Sequence, residues 1–232
     1  MIFGLFRFDW TILIVLPALV FSIWAQMKVN STYKKYASFP TRKGMTGAQA
    51  ARRILDENGL SHVEIEHIRG NLNDHFDPRA NVIRLSDAVH DSKSAAAIGV
   101  AAHEAGHAVQ YAKNYLPIRF RALIIPVTRF GSMLAIPLFF IGMIFASDYL
   151  MLAGILLYAT IALFQLATLP VEFNASRRAM QVLSTSGMLN EDEQDAARQV
   201  LTAAAMTYVA ALVTSLLTLL RLVILAGGRR RS

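Results

Sequence analysis

The 232-residue sequence contains no cysteine, so it can form no disulfide and offers no thiolate to a metal. Any metal site must therefore be built from histidine and carboxylate. Charged residues make up only 17% of the chain against 54% hydrophobic, a balance too apolar for an ordinary soluble domain and the opposite of a disordered one. With 13 Gly and 7 Pro, a collagen-like repeat is excluded. Acid is the scarcer sign, with 16 Asp+Glu against 23 Lys+Arg for a net charge of +7. A basic surplus can serve nucleic acid, anionic lipid or membrane topology. No recognition-module signature and no basic stripe interleaved with aromatics is present, so nucleic acid is not an expected partner.

Four charge-free stretches dominate what is there: Trp10 to Met27 (18 residues), Phe130 to Ser147 (18), Tyr149 to Val171 (23) and Gln199 to Leu220 (22). Each can cross a hydrocarbon core of about 30 Å at a helical rise of about 1.5 Å per residue. The first is not read as a cleaved signal peptide. It follows Asp9, and Ile23 stands where a small residue should precede Ala25 at a cleavage site. The expected organisation is an anchor at 1–27, a polar segment at 28–129, a membrane hairpin at 130–171, a helical segment at 172–202 and a last span with a basic tail at 203–232. Four crossings put both polar segments on one face. Eleven Lys and Arg near membrane ends lie on that face, among them Lys28, Lys34, Lys35, Arg177 and Arg178, against Arg7, Arg229, Arg230 and Arg231 on the other. The positive-inside rule then assigns the polar segments to the cytoplasm.

Within the polar part, Thr46 followed by Ala48, Ala50, Ala51, Ile54 and Leu55 and then Gly59 predicts a capped amphipathic helix. Val63 to Glu66 alternates as a strand, and 81–86 resumes an extended pattern after the turn-rich 71–79 run. That second strand is expected to be a sheet edge to which an extended substrate could pair. The alanine-rich stretch from Ser92 to Ala112 predicts a helix of about five turns, and Asn190 caps another that runs toward the last span.

In the alanine-rich helix stands His103-Glu104-Ala105-Gly106-His107, an H-E-x-x-H motif expected by chance on the order of 0.005 times in a chain of this composition. Residues four apart lie on one helix face, so both imidazoles can reach one ion while Glu104 flanks the open position as general base. Catalytic zinc usually has a third protein ligand. The metzincin extension is excluded because Gln110 and Lys113 replace its glycine and histidine, and no inverted H-x-x-E-H occurs. A carboxylate on a later helix remains, and Glu172, just after Pro170 at the end of the third span, is the leading candidate. On spacing alone it could equally be an interfacial acid paired with Arg177 or Arg178.

The runs from Gly99 to Gln110, from Asp74 to Arg79 and from Pro170 to Ala179 together resemble the bacterial YugP-type neutral zinc metallopeptidases. The resemblance spans the chain from the first anchor to the last. It implies a gluzincin-like α+β metallopeptidase domain within a mainly α, multi-span membrane protein of the bacterial cell membrane. It also implies one zinc per chain held by His103, His107 and Glu172, with Glu104 as catalytic acid and base. Two departures are visible: Asn174 stands where the family carries Asp, and Ser176, four residues after Glu172, occupies a position often Asp in related gluzincins.

The expected function is therefore a membrane-anchored zinc metalloendopeptidase acting on protein or peptide substrates near the bilayer. Its site should lie close to the membrane surface, because Glu172 follows a span directly. One alternative is a site-2-type intramembrane protease, since Lys93 and Lys113 bracket 19 residues that could nearly span a bilayer; the chain has no Asp-Gly segment for that class's third ligand. The other is a non-catalytic zinc-binding scaffold, in which Glu104 would have no task.

Overall fold

A computed structural model describes residues 9–229 apart from the Arg229 side chain. Arg7, Arg230, Arg231 and that side chain, all counted in the topology argument, lie outside the described residues. The described chain is mainly helical: α1 (Ile12–Ala37), α2 (Gly47–Glu57), α3 (Ala95–Ala112), α4 (Leu116–Ile144), α5 (Asp148–Thr185) and α6 (Glu191–Arg229). Three short strands intervene, β1 (Glu64–Ile68), β2 (His75–Asp77) and β3 (Val82–Ser86). The helices α1, α4, α5 and α6 are long and apolar enough to cross a membrane, and α3 is not among them. The helix that carries the H-E-x-x-H motif is thus not one of the four candidate spans.

The chain divides into two compact units. One, drawn from Met1–Trp24, Arg121–Leu166 and Tyr208–Ser232, is built from portions of the four long helices. Its helices meet through small residues, as expected where lipid tails remove the hydrophobic drive for association. A carbon added to Gly154 of α5 would lie 2.7 Å from both the Ala135 carbonyl oxygen and the Phe139 amide nitrogen of α4. Phe139, fully buried, packs there with Met151 and Leu222. At one end of this unit Arg221 of α6 reaches Asp9, just before α1, with an N–O distance of 2.5 Å, and its Nε donates to Thr11 Oγ1. Pairing lets a guanidinium sit in an otherwise apolar helix, since an unpaired charge there would be costly.

The other unit comprises Ala25–Phe120 and Ala167–Thr207. Thr46 caps α2 in a reciprocal box with Gln49, and Ser94 caps α3 by accepting the Ala97 amide. Asn190 and Glu193 cap α6 reciprocally, and the buried Glu193 carboxylate also accepts the Arg42 amide at 2.7 Å. Each cap satisfies amides that a helix start leaves without partners. The core gathers Ile54 and Leu55 of α2, Ile83 and Leu85 of β3, Ile98 and the alanines of α3, Leu183 of α5 and Met188. Alanine and glycine on α3 let neighbouring backbones come close: a carbon on Gly99 would lie 3.1 Å from the Ala197 side chain of α6.

The sheet order is β1-β3-β2, with β1 parallel and β2 antiparallel to β3. The strand expected at the edge is therefore the central one. Its residues Val82, Ile83, Leu85 and Ser86 are all buried, and both its edges are taken by neighbours. A fully apolar-flanked strand reads equally well as central or edge in sequence, and the pairing decides. Substrate pairing along 81–86 is thereby overturned.

The close approach at Gly154 leaves no room for a branched side chain. Gly154→Val should lower the thermal unfolding midpoint of the detergent-solubilised protein, at a cost of about 1–3 kcal/mol from overpacking. Wild-type thermal stability in that variant would show that α4 and α5 do not meet as described.

Candidate metal centre

Eighteen residues of α3 run through the core of the second unit, and all but a few are buried. The sequence permits this because its side chains are mostly methyl groups or hydrogen, so a helix can be surrounded without overfilling the interior. His103 and His107, one turn apart, present their imidazoles with ring centroids 4.7 Å apart and planes 85° to one another. Both side chains are largely buried. Glu172 comes from α5, two residues beyond Pro170, and its side chain is almost wholly buried. Its Oε2 lies 3.3 Å from His103 Nε2 and 3.5 Å from His107 Nε2.

These spacings bear on whether a metal fits. Ligands at about 2.0–2.1 Å around a tetrahedral ion are separated from one another by about 3.4 Å. Two neutral imidazole nitrogens and a carboxylate oxygen form the donor set that zinc accepts in open sites. One donor atom from each of His103, His107 and Glu172 lies within 4.8 Å of the others. The residues present thus fit zinc in chemistry and in spacing.

The approach of α5 to α3 depends on Gly106. A side-chain carbon there would stand 2.8 Å from the Ala175 carbonyl oxygen, so any larger residue would push α5, and Glu172 with it, away from the histidines. The glycine lies between the two histidines of the motif, where the spacing rule places no demand on residue type.

Two polar side chains orient the imidazoles. His107 Nδ1 is hydrogen-bonded to Gln110 Oε1 at 2.9 Å, and the Gln110 amide donates to the Val171 carbonyl at 2.8 Å and to Asn174 Oδ1 at 3.0 Å. Gln110 has no solvent exposure at all, so these bonds are the means by which its burial is tolerated. His103 Nδ1 is hydrogen-bonded to Ser176 Oγ at 3.0 Å. A proton held on each Nδ1 leaves each Nε2 as a lone pair turned toward Glu172, the outer-shell arrangement that fixes the tautomer of a ligating histidine. Sequence reasoning marked Asn174 and Ser176 as departures and passed over Gln110. The signal was available: Gln110 is three residues from His107 and shares its helix face, and Ser176 is four from Glu172.

Glu104 is 8% exposed, and its Oε2 accepts the Phe76 amide of β2 at 2.9 Å. The Asp74-to-Arg79 run supplies this contact. Asp74 secures the run by accepting both the amide and the hydroxyl of Ser86, at 2.7 and 3.0 Å. Burial pushes the Asp74 carboxyl up from its ordinary range, the Ser86 bonds oppose that, and the charge on nearby Glu104 pushes it further up. At His107 burial disfavours the cation, but the bond and charge of Glu172 and the charge of Glu104 outweigh it, so its pKa stands raised. The two carboxylates thus raise the affinity of His107 for a proton, with which a metal ion would compete.

Comparison with known proteins bears on what this arrangement is. Over 219 residues the chain is 47% identical to the protein described as "Putative membrane protease YugP" of Bacillus subtilis (strain 168), a match covering 94% of this chain and 97% of that protein. No solved structure matches it. A family model described as "Putative neutral zinc metallopeptidase" matches residues 11–227, a range that includes both histidines, Glu104 and Glu172, and the chain belongs to that family.

Proposed function

We propose that the chain is a membrane-anchored zinc metalloendopeptidase in which His103, His107 and Glu172 hold one zinc ion and Glu104 is the general base. One observation carries this reading: a buried carboxylate from α5 lies at ligand spacing from both Nε2 atoms of α3, with a second carboxylate beside them. Zinc, when bound, supplies a Lewis acid that polarises the scissile carbonyl and brings the pKa of water to about 7. Glu104, one residue from His103 on the same helix, takes the proton of the attacking water and returns it to the leaving amine. Its bond to the Phe76 amide holds one carboxylate oxygen in place and leaves the other for that proton. A closed structural zinc site has no use for such a base, which weighs against a scaffold.

The relative's name speaks of a membrane protease, and the four apolar helices make this chain a membrane protein. Because Glu172 is carried on the same unbroken helix as an apolar span, substrates whose extended segments lie near the bilayer are the natural class. We assign the centre to the cytoplasmic face on the distribution of Lys and Arg.

Zinc that survives dialysis against a chelator should be stoichiometric in the wild type and lost in His103→Ala/His107→Ala; its persistence there would remove the ligand assignment. Glu104→Gln keeps shape and leaves the ligands untouched, so zinc should stay while casein or peptide cleavage falls by about 10²-fold or more. Wild-type turnover in that variant would take Glu104 out of the mechanism. Gln110→Ala should weaken zinc binding by about 10–100-fold, the scale of a lost outer-shell partner. Unchanged affinity, measured by competition with a chromophoric chelator, would show that the His107 tautomer does not depend on Gln110. Single cysteines at Lys43 and Glu191 should both resist an impermeant thiol reagent in intact cells and both react after lysis. Joint labelling from outside would reverse the orientation, and unlike labelling would break the four-span arrangement.

A further inference from the structure

A second group of ligating side chains lies where β1 ends beside the turn that joins β3 to α3. His67 belongs to β1, and His90 and Asp91 to the turn. One donor atom from each lies within 4.8 Å of the others. The two imidazoles are stacked nearly parallel, with centroids 4.8 Å apart and planes 19° from one another. His90 Nδ1 and Asp91 Oδ1 are hydrogen-bonded at 2.9 Å, so a separation of about half an ångström brings them to the ~3.4 Å at which two ligands of one tetrahedral ion stand. A fourth residue, Asp87, is placed as an outer partner. Its Oδ1 is 2.8 Å from His67 Nε2, while its Oδ2 accepts the Gly70 amide at 2.9 Å. The bond to Asp87 places the proton of His67 on Nε2 and leaves the lone pair on Nδ1. Parallel imidazoles at an exposed position have no core to complete. As cations they would repel, whereas as neutral rings they offer two nitrogens to an ion.

We propose that His67, His90 and Asp91 form a second divalent-cation site of zinc type at the surface of the polar unit, with Asp87 orienting His67. Two imidazole nitrogens and one carboxylate oxygen suit zinc and its borderline neighbours, whereas magnesium and calcium call for oxygen alone. Asp91 is exposed, so this site is the weaker of the two and exchanges with free zinc. The turn it would clip is a joint of the unit. The His90 and Ser92 carbonyls accept the Ala48 and Gly47 amides at the start of α2, and the Lys93 carbonyl accepts the Thr41 amide. An ion there ties β1 to the segment that leads into α3 and stiffens it. The inference stands independently of the role given to the α3 centre.

The test uses the full-length protein in detergent, stripped by chelator and titrated with Zn2+ against a competing chromophoric chelator. Two classes of site are expected in the wild type. His67→Gln/His90→Gln should lose only the weaker class, His103→Ala/His107→Ala only the tighter. Asp91→Asn, on an exposed side chain whose replacement leaves folding intact, should weaken the second class by about tenfold or more. Zinc sufficient to fill the weaker class should raise the thermal midpoint of the wild type but not of His67→Gln/His90→Gln. A single class in the wild type, or a second class that persists in His67→Gln/His90→Gln, would overturn the proposal.

Discussion

Everything at the candidate centre depends on how closely two helix backbones approach. A ligand set drawn from α3 and α5 exists only if α5 can come within van der Waals distance of α3, and at Gly106 the Ala175 carbonyl fills the space that a methyl group would occupy. A carboxylate side chain is short, so Glu172 has little reach with which to compensate for a displaced helix, and misplacement by about 1 Å is enough to lose a ligand geometry. The alanine content of α3 serves the same end on its other sides, where α2 and α6 press against it. Helix packing in this unit is thus the first step of the chemistry. The small residues of α3 are what make it a workable scaffold.

Electrostatics then explain why such a centre should attract an ion. Two carboxylates, Glu104 and Glu172, are buried beside two imidazoles. Burying acid without a partner is expensive, and the same two carboxylates raise the pKa of His107. A divalent cation answers the same need with twice the charge. The hydrogen bonds that His107 and His103 make with Gln110 and Ser176 belong to this balance, because they settle where the histidine protons sit.

Much of the architecture was legible from residue order. The four apolar stretches correspond to four long helices, the Thr46 and Asn190 caps stand where the capping residues predicted them, and the two strands flanking the turn-rich run pair with each other. Helix ends were less legible. Polar residues such as Arg121 are carried into apolar helices, and a helix continues through them as long as backbone hydrogen bonds remain available. The role of β3 was misjudged because a central or edge position is a property of pairing, and β2, only three residues long, leaves almost no pattern of its own. The motif histidines needed only the 3.6-residue period, whereas Glu172 lies 65 positions beyond His107 and no local rule could join them. Gln110 and Ser176 each share a helix face with a candidate ligand, but a shared face becomes a contact only when the tertiary approach is known.

The brevity of β2 has a further consequence for solubility. A free strand edge is a template on which other chains can assemble, and long flat edges are those that aggregate. Here one edge of the sheet is three residues long, about 10 Å, and the outward amide of Phe76 is already occupied by Glu104. The opposite edge, β1, carries Glu64, Glu66 and His67 among its five residues. A membrane protein with a sheet outside its spans is crowded against identical neighbours in two dimensions, and both of its edges are built to refuse a partner strand.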